Sequence, residues 1–318
     1  MGIRVLWLFF ITFVILTGYY GSVLYNFSER INQNGDNQRA QAETKTEPIK
    51  LPEWKGTEPV SILLLGTDKR ETESSMRSDT ILLLNLNPVT KQAYLFSILR
   101  DTWIKVPGYG SNRINTSFEM GGPDLTAKTV EALTGLSIQY YMTTDFEGFE
   151  KMVDALGGLD LYVEKDMDYL LYENNGYYDI HLKEGMQRLD GHKALQYVRF
   201  RHDKMGDFSR TERQRKLLKA LASQAKSHLN AFNIPKILND LSPYISTNME
   251  TNDMLRFASL ATKVRWTEMG TEQIPPFSIL KEKRVNGGQV IDPNIEETKI
   301  FIHDLLSHEV AQRSSSGK

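Results

Sequence analysis

"TILLLNLNPVTKQAYLFSIL", residues 80–99, holds two runs of apolar side chains separated by a short polar segment. Neither run alternates apolar with polar. A strand with one wet face alternates, whereas a strand covered on both faces reads as a continuous apolar run. The segment between them, "NPVTKQ", has the composition of a hairpin turn. A third run of the same kind, "VSILLLG" at 60–66, precedes the pair. Helical patterns follow. "PDLTAKTVEALTG" (123–135) has proline in a first-turn position and stops at glycine; "TDFEGFEKMVDALGG" (144–158) puts Phe146, Phe149, Met152, Val153 and Leu156 on one face and stops at Gly157. That face reads as ordinary core. Strand-like pieces such as "LDLYV" (159–163) then alternate with helices up to "PNIEETKIFIHDLLSHEV" (293–310), which makes the fold a mixed, layered α/β domain.

The chain has 318 residues, ample for a buried core; 40% are apolar and 25% charged, and the formal net charge is -2. A chain so balanced is no polyelectrolyte partner for DNA or RNA, so any basic site is local. The absence of cysteine excludes disulfides, thiolate zinc sites and a cysteine nucleophile. Residues 5–27, "VLWLFFITFVILTGYYGSVLYNF", contain no charged side chain, and about 20 apolar residues suffice to cross a bilayer. The run lacks a clear cleavage site, so it reads as a transmembrane signal anchor behind a cytoplasmic stub, residues 1–4, with the rest of the chain outside the cell membrane. Residues 28–58 are polar, carry glycine and proline, and show no hydrophobic periodicity; they read as an extracellular linker lifting the domain off the bilayer. The domain occupies 59–312, and 313–318 form a disordered tail.

Charged residues collect where the apolar runs end. "GTDKR" after the run at 60–66 brings Asp68 and Arg70; "RSDT" before the run at 80–86 brings Arg77 and Asp79; "RDT" after the run at 93–99 brings Arg100 and Asp101. With the runs as neighbouring strands joined by a return loop and a hairpin, Asp68, Asp79 and Arg100 reach one edge of the sheet. Converging carboxylates and arginines suit a divalent cation together with a phosphorylated ligand, because magnesium takes hard oxygen ligands and the guanidinium fork matches phosphate oxygens. Surface ion pairing of Asp68 and Asp79 with Arg70 and Arg77 is the competing reading. No Walker loop or G-x-G-x-x-G is present.

"RFRHDKMGDFSRTERQ", residues 199–214, adds a second basic cluster. Arg199 and Arg201 lie two apart, so an extended segment points both the same way. Ser209 and Glu212 have capping-box spacing and predict a helix start, with Arg210 in the first turn and Gln214 one turn on. Arginine in a first turn opposes the helix dipole unless an anion sits there. A solvated helix face, a nucleic-acid patch and a phosphate cradle all fit these residues, and Asp203 and Asp207 would either neutralise the arginines or serve as a base.

Several segments in order, "LLLGTDKR", "RSDTILL", "SILRDT", "RINTSFEMGG", "LDGHKALQYVRFRHD" and "GDFSRTERQ", resemble the LytR-CpsA-Psr family of membrane-anchored cell-wall glycopolymer transferases, from about Val60 to Lys226. Ser117 departs from the small apolar residue expected there. The resemblance implies a central mixed β-sheet flanked by helices, one N-terminal span and an apolar pocket for a lipid tail. It implies that Asp68 and Asp79 hold Mg2+ (or Mn2+), and that Arg70, Arg100, Arg199, Arg201, Arg210 and Gln214 surround the diphosphate of a polyprenyl-linked glycan. The implied reaction moves an anionic glycopolymer, such as wall teichoic acid, from its polyprenyl (undecaprenyl) diphosphate carrier to a peptidoglycan hydroxyl, the muramic acid C6 hydroxyl, releasing polyprenyl phosphate. The partners are then the lipid-linked glycopolymer, peptidoglycan and the membrane, with no nucleic acid. Asp101, Asp203 and Asp207 are the candidate bases, Asp207 preferred for its place just before the arginine helix. A polyprenyl diphosphate pyrophosphatase and a non-catalytic regulator or lipid-glycan receptor are the alternatives.

Overall fold

The computed structural model describes residues 2–41, 49–67, 77–170, 176–203, 206–228 and 233–316, with side chains described in these ranges outside 2–17, 41, 225–228 and 308–316. The strands in chain order are β1 (Val60–Thr67), β2 (Ser78–Asn87), β3 (Gln92–Ile98), β4 (Trp103–Val106), β5 (Gly110–Arg113), β6 (Tyr140–Thr144), β7 (Leu159–Val163), β8 (Met167–Tyr169), β9 (Ile180–Leu182), β10 (Gly185–Leu189), β11 (Ile245–Thr247), β12 (Gly270–Ile274), β13 (Lys281–Val285) and β14 (Gly288–Asp292). The helices are α1 (Gly2–Gln41), α2 (Thr116–Thr134), α3 (Phe146–Ala155), α4 (Gly191–Arg199), α5 (Asp207–His228), α6 (Ile234–Leu241), α7 (Thr251–Ala261) and α8 (Ile295–Ser316).

Among the described residues the central sheet has six strands in the order β11-β6-β1-β2-β3-β12. β2 runs antiparallel to both β1 and β3, and β11 antiparallel to β6, whereas β6 is parallel to β1 and β12 is parallel to β3, so the sheet is mixed. The hairpin stands as the sequence predicts. Asn87 Oδ1 accepts hydrogen bonds from the backbone N–H groups of Val89 and Thr90 (2.9 and 3.1 Å), which closes the turn. Continuous apolar runs follow from a sheet covered twice. Leu63, Leu65, Ile81, Leu83, Phe96 and Ile98 face α2 and α8, whereas Ile62, Leu82, Leu86 and Leu95 face the side packed by α7. A third cluster, built from α3, α4, α5 and β7 to β10, packs at one end of the sheet. α2 is kinked at Gly121 and Gly122, so its regular part starts at Pro123 and ends on left-handed Gly135, as the sequence indicates. Ser117 lies in the first segment, fully buried, with its hydroxyl donating to the Ile114 carbonyl at 2.5 Å.

The chain ends differ from expectation. Residues 28–41 are not a free linker, because α1 continues through them and packs on the domain. Ile31 is 1% exposed and sits with Leu241 and Ile245. The polar residues that suggested solvation reach into the domain instead: Asn34 donates to the Ser242 and Ile245 carbonyls (2.9 and 3.0 Å), Asn32 to the Met249 carbonyl (3.0 Å), and Arg39 pairs with Asp124 at 2.6 Å. Gly35 is the point of closest approach, since a Cβ there would lie 2.5 Å from the Thr247 carbonyl oxygen of β11. Further along, Leu51 and Trp54 are buried. At the other end α8 runs to Ser316, through four of the residues expected to form a disordered tail. Among the described residues no helix is long and apolar enough to cross a membrane; the span expected at 5–27 falls in large part on 5–17, outside the described side chains.

Candidate active site

The antiparallel register pairs Gly66 with Thr80 and Ile81 with Ile98, which carries the end of β1, the start of β2 and the residue after β3 to one edge. Asp79 and Arg100 meet there, with Arg100 Nη1 3.0 Å from Asp79 Oδ1. Gly66 permits the close packing of this edge: a Cβ would lie 2.9 Å from the Thr80 side chain. Thr80 in turn accepts a hydrogen bond from Gln214 Nε2 at 3.0 Å, which ties α5 to the sheet edge. Arg210, one turn before Gln214, reaches the Asp79 carbonyl with Nη2 at 3.4 Å and pairs with Asp207 at 2.7 Å. Asp207 also lies 3.7 Å from Arg100 Nε. The sequence-predicted residues Asp79, Arg100, Asp207, Arg210 and Gln214 thus converge. Asp68 and Arg70 lie outside the described residues.

Arg199 and Arg201 reach the same cavity by a route the sequence reading missed. Arg199 is not extended; it is the last residue of α4, which Asp190 caps by accepting from the Lys193 N–H at 2.8 Å. Burial of Ala194, Leu195, Tyr197 and Val198 carries the helix into the charged stretch, and Phe200 then turns extended. The Arg199 guanidinium lies over the rings of Phe146 (4.8 Å) and Tyr178 (4.5 Å), which stand edge to face, and these cation–π contacts fix its direction. The capping box is also absent. α5 begins two residues earlier, at Asp207, and Glu212 pairs with Lys216 at 2.8 Å instead.

These charged groups ring one end of a cavity of about 330 Å³ whose rest is apolar, walled by Leu64, Leu82, Met142, Leu195, Leu217 and their neighbours. Phe146, Phe149 and Met152, expected to be plain core, line it as well. A second apolar cavity of about 420 Å³ shares Leu64, Met142 and Leu218 with the first and is also lined by Leu24, Phe27 and Ile31 of α1. Leu64 and Leu84 sit in mid-strand yet are only half-buried, because they face this space rather than packed side chains. A leucine in that position forgoes part of the roughly 2 kcal/mol that full burial contributes. An apolar guest would restore it.

The charge balance at the polar end favours an anion. Burial works against the charge of Arg100, but Asp79, Asp207 and Asp101 outweigh it and hold the group above its ordinary value. Arg210 is 7% exposed, and burial, joined by repulsion from Arg100 and Arg201, outweighs Asp207 and Asp79 and pushes it below its ordinary value. Nε of Arg100 and Nε of Arg210 are buried with no hydrogen-bond partner among the described residues. With Asp101 paired to Arg113, the carboxylates of Asp79 and Asp207 face the three guanidinium groups of Arg100, Arg201 and Arg210.

The candidate bases separate clearly. Asp101 is held by Arg113 at 2.9 Å. Asp203 turns from the cavity to a buried network, paired with Arg213 (2.5 Å) and Lys165 (3.2 Å). Burial alone would raise its pKa, but hydrogen bonds from Arg213, Ser209 and Lys165 dominate and bring it down to about 2. A carboxyl so depressed stabilises the fold fully above its unfolded value, about 3.9, and loses that contribution as the pH falls through about 2. Urea unfolding is therefore expected to show about 2 kcal/mol of stability lost between roughly pH 5 and 2 that Asp203→Asn does not lose. Identical acid profiles for the two proteins would contradict the ion pair.

The oxygen donors at this edge suit a hard divalent cation. Beside Asp79, whose Oδ1 lies 3.5 Å from Asn115 Nδ2, the Oδ1 of Asn115 is buried without a hydrogen-bond partner among the described residues. Among the described residues no three His, Asp or Glu side chains gather around a metal position.

The described residues thus place convergent arginines at one end of an apolar cavity beside a mixed sheet. The chain belongs to the LytR_cpsA_psr family, whose model matches residues 22–300. It is 38% identical over 254 residues to the regulatory protein MsrR of Staphylococcus aureus (strain COL), covering 79% of this chain and 75% of that protein. It is 34% identical over 208 residues to the polyisoprenyl-teichoic acid–peptidoglycan teichoic acid transferase TagU of Oceanobacillus iheyensis, covering 63% of this chain and 62% of that protein. Among solved structures, Bacillus subtilis TagV superposes with a TM-score of 0.66 at 29% identity over 79% of this chain and 98% of that one. TagT bound to LIIa-WTA superposes with a TM-score of 0.68 at 25% identity over 84% of this chain and 98% of that one. The family thus includes teichoic acid transferases.

Proposed function

We propose that this protein transfers an anionic glycopolymer of the wall teichoic acid class, as its phosphoglycan, from a polyprenyl (undecaprenyl) diphosphate carrier to the muramic acid C6 hydroxyl of peptidoglycan. The observation that carries this reading is the pairing of buried guanidinium N–H groups lacking partners with an apolar cavity behind them. A polyprenyl diphosphate has both parts. Arg100, Arg199, Arg201, Arg210 and Gln214 orient the diphosphate and neutralise charge on its oxygens, and Arg70 would join them; phosphoryl transfer depends mainly on such positioning. The acceptor oxygen forms a bond to the glycan-linked phosphorus, the bond from that phosphorus to the bridging oxygen breaks, and the electron pair leaves with polyprenyl phosphate. Asp207, the candidate base that stands between the site arginines Arg210 and Arg100, takes the hydroxyl proton, whereas Asp203 is turned to the buried network of Arg213 and Lys165. Asp79 with Asp68 would hold Mg2+ or Mn2+, which supplies further neutralisation of phosphate charge when bound. The same reading takes residues 5–27 as an uncleaved membrane anchor with the N-terminus cytoplasmic and the domain outside.

The test incubates detergent-extracted full-length protein with lipid-linked glycan, with and without peptidoglycan oligomer. Glycan is expected to appear on the oligomer, and polyprenyl phosphate to be released only when acceptor is present. Release without acceptor makes the protein a pyrophosphatase. Tight lipid binding with no turnover under either condition makes it a receptor, the reading that likeness to a protein named as regulatory favours.

A further inference from the structure

Arg213 lies in the "RTERQ" segment beside the residues already discussed, yet it faces away from the cavity and is 2% exposed. Each of its three guanidinium nitrogens has a partner. Nε pairs with Glu164 at 2.7 Å, Nη1 donates to the Phe200 carbonyl at 2.7 Å, and Nη2 pairs with Asp203 at 2.5 Å. The plane also lies over the Phe200 ring, 5.2 Å from its centroid. Its partners are themselves held: Glu164 accepts from the Tyr197 hydroxyl at 2.9 Å, and Asp203 accepts from Lys165 and from the Gly206 N–H at 2.9 Å. Two cations and two carboxylates balance. A buried cluster of this kind contributes little to net stability compared with apolar packing, but it fixes one arrangement because each group is costly to leave unpaired.

The arrangement it fixes is the crossing from α4 to α5. Phe200 and Asp203 flank Arg201, Arg199 ends the preceding helix, and Arg210 lies one turn before Arg213 on α5. Both ends of the crossing are therefore bound to a single guanidinium. We propose that Arg213 is a positioning residue that holds Arg199 and Arg201 at a set distance from Arg210, so that all three close on one diphosphate. The inference rests on the diphosphate reading of the site. Lysine cannot replace arginine here, since a single ammonium on a flexible stem cannot bind three acceptors in one plane.

The experiment compares Arg213→Lys, Asp203→Asn and wild-type full-length protein for binding of polyprenyl diphosphate and of polyprenol of equal chain length. The variants are expected to keep wild-type affinity for polyprenol, which uses only the apolar cavity, and to lose about 10- to 100-fold in affinity for the diphosphate. Their combination is expected to lose little more than either alone, because both break one network. Wild-type diphosphate affinity in Arg213→Lys overturns the proposal. So does an equal loss for both lipids, which marks a purely structural role. Wild-type protein that binds the two lipids alike removes the diphosphate reading itself, and that result is distinct from either.

Discussion

Arg100→Ala is expected to lower glycan transfer by about 10³-fold, the scale at which a single arginine aimed at a transferring phosphoryl group acts. The side chain is placed for it. Arg100 leaves β3 at the sheet edge, pairs with Asp79 and approaches Asp207, and still has a buried N–H without a partner among the described residues. Removing it takes away positive charge where the diphosphate oxygens gather and frees Asp79 and Asp207 to repel them. Thermal unfolding should stay within a few degrees of wild type, because Arg100 is outside the apolar clusters that hold the sheet together. Arg100→Lys should recover part of the rate, retaining charge without the planar fork. Near-normal transfer by Arg100→Ala in the lipid-linked assay would remove the residue from the site.

The second large effect is steric. Leu218 is shared by the two apolar cavities, so Leu218→Trp would put an indole ring at their junction. A long-chain polyprenyl donor then loses the burial of its distal units, and kcat/KM for it is expected to fall by about 10²-fold, given roughly 0.8 kcal/mol for each buried methylene. A short-chain donor whose tail ends within the first cavity should keep its rate. Equal loss for both donors would mean that the ring disturbs α5 and the arginines rather than the tail path, and no loss for either would mean that the tail leaves by another way.

Much of this site is legible in the sequence because strand order and register are simple. Three continuous apolar runs and one hairpin suffice to bring Asp79 and Arg100 to a common edge, since antiparallel neighbours return the chain to the same end of the sheet. Gln214 and Arg210 are legible for a similar reason, as helical spacing puts them on one face. The pattern misleads where side-chain chemistry resembles solvation. Arg199 reads as extended because "RFRHD" is charged, although the buried face of α4 continues beneath it. Phe146, Phe149 and Met152 read as core and do pack on the cluster of α3, α4 and α5, but an amphipathic face does not reveal that it also lines a cavity. Arg213 and Glu164 leave no local signal, since a buried ion network depends on residues brought together from β7, α4 and α5.

The length of α1 bears on where the reaction takes place. On the described part of α1, Leu24 and Phe27 already line the domain's second cavity and Ser28 is buried, so the helix meets the domain before the expected bilayer-crossing stretch ends at Phe27. With the earlier part of residues 5–27 in a bilayer, no free linker would separate the folded domain from the membrane, and the proposed transfer site could not scan outward through the wall. Its reach is the thickness of the folded domain, so it would act on glycan strands still close to the membrane surface, and an older, deeper layer of peptidoglycan would lie beyond it.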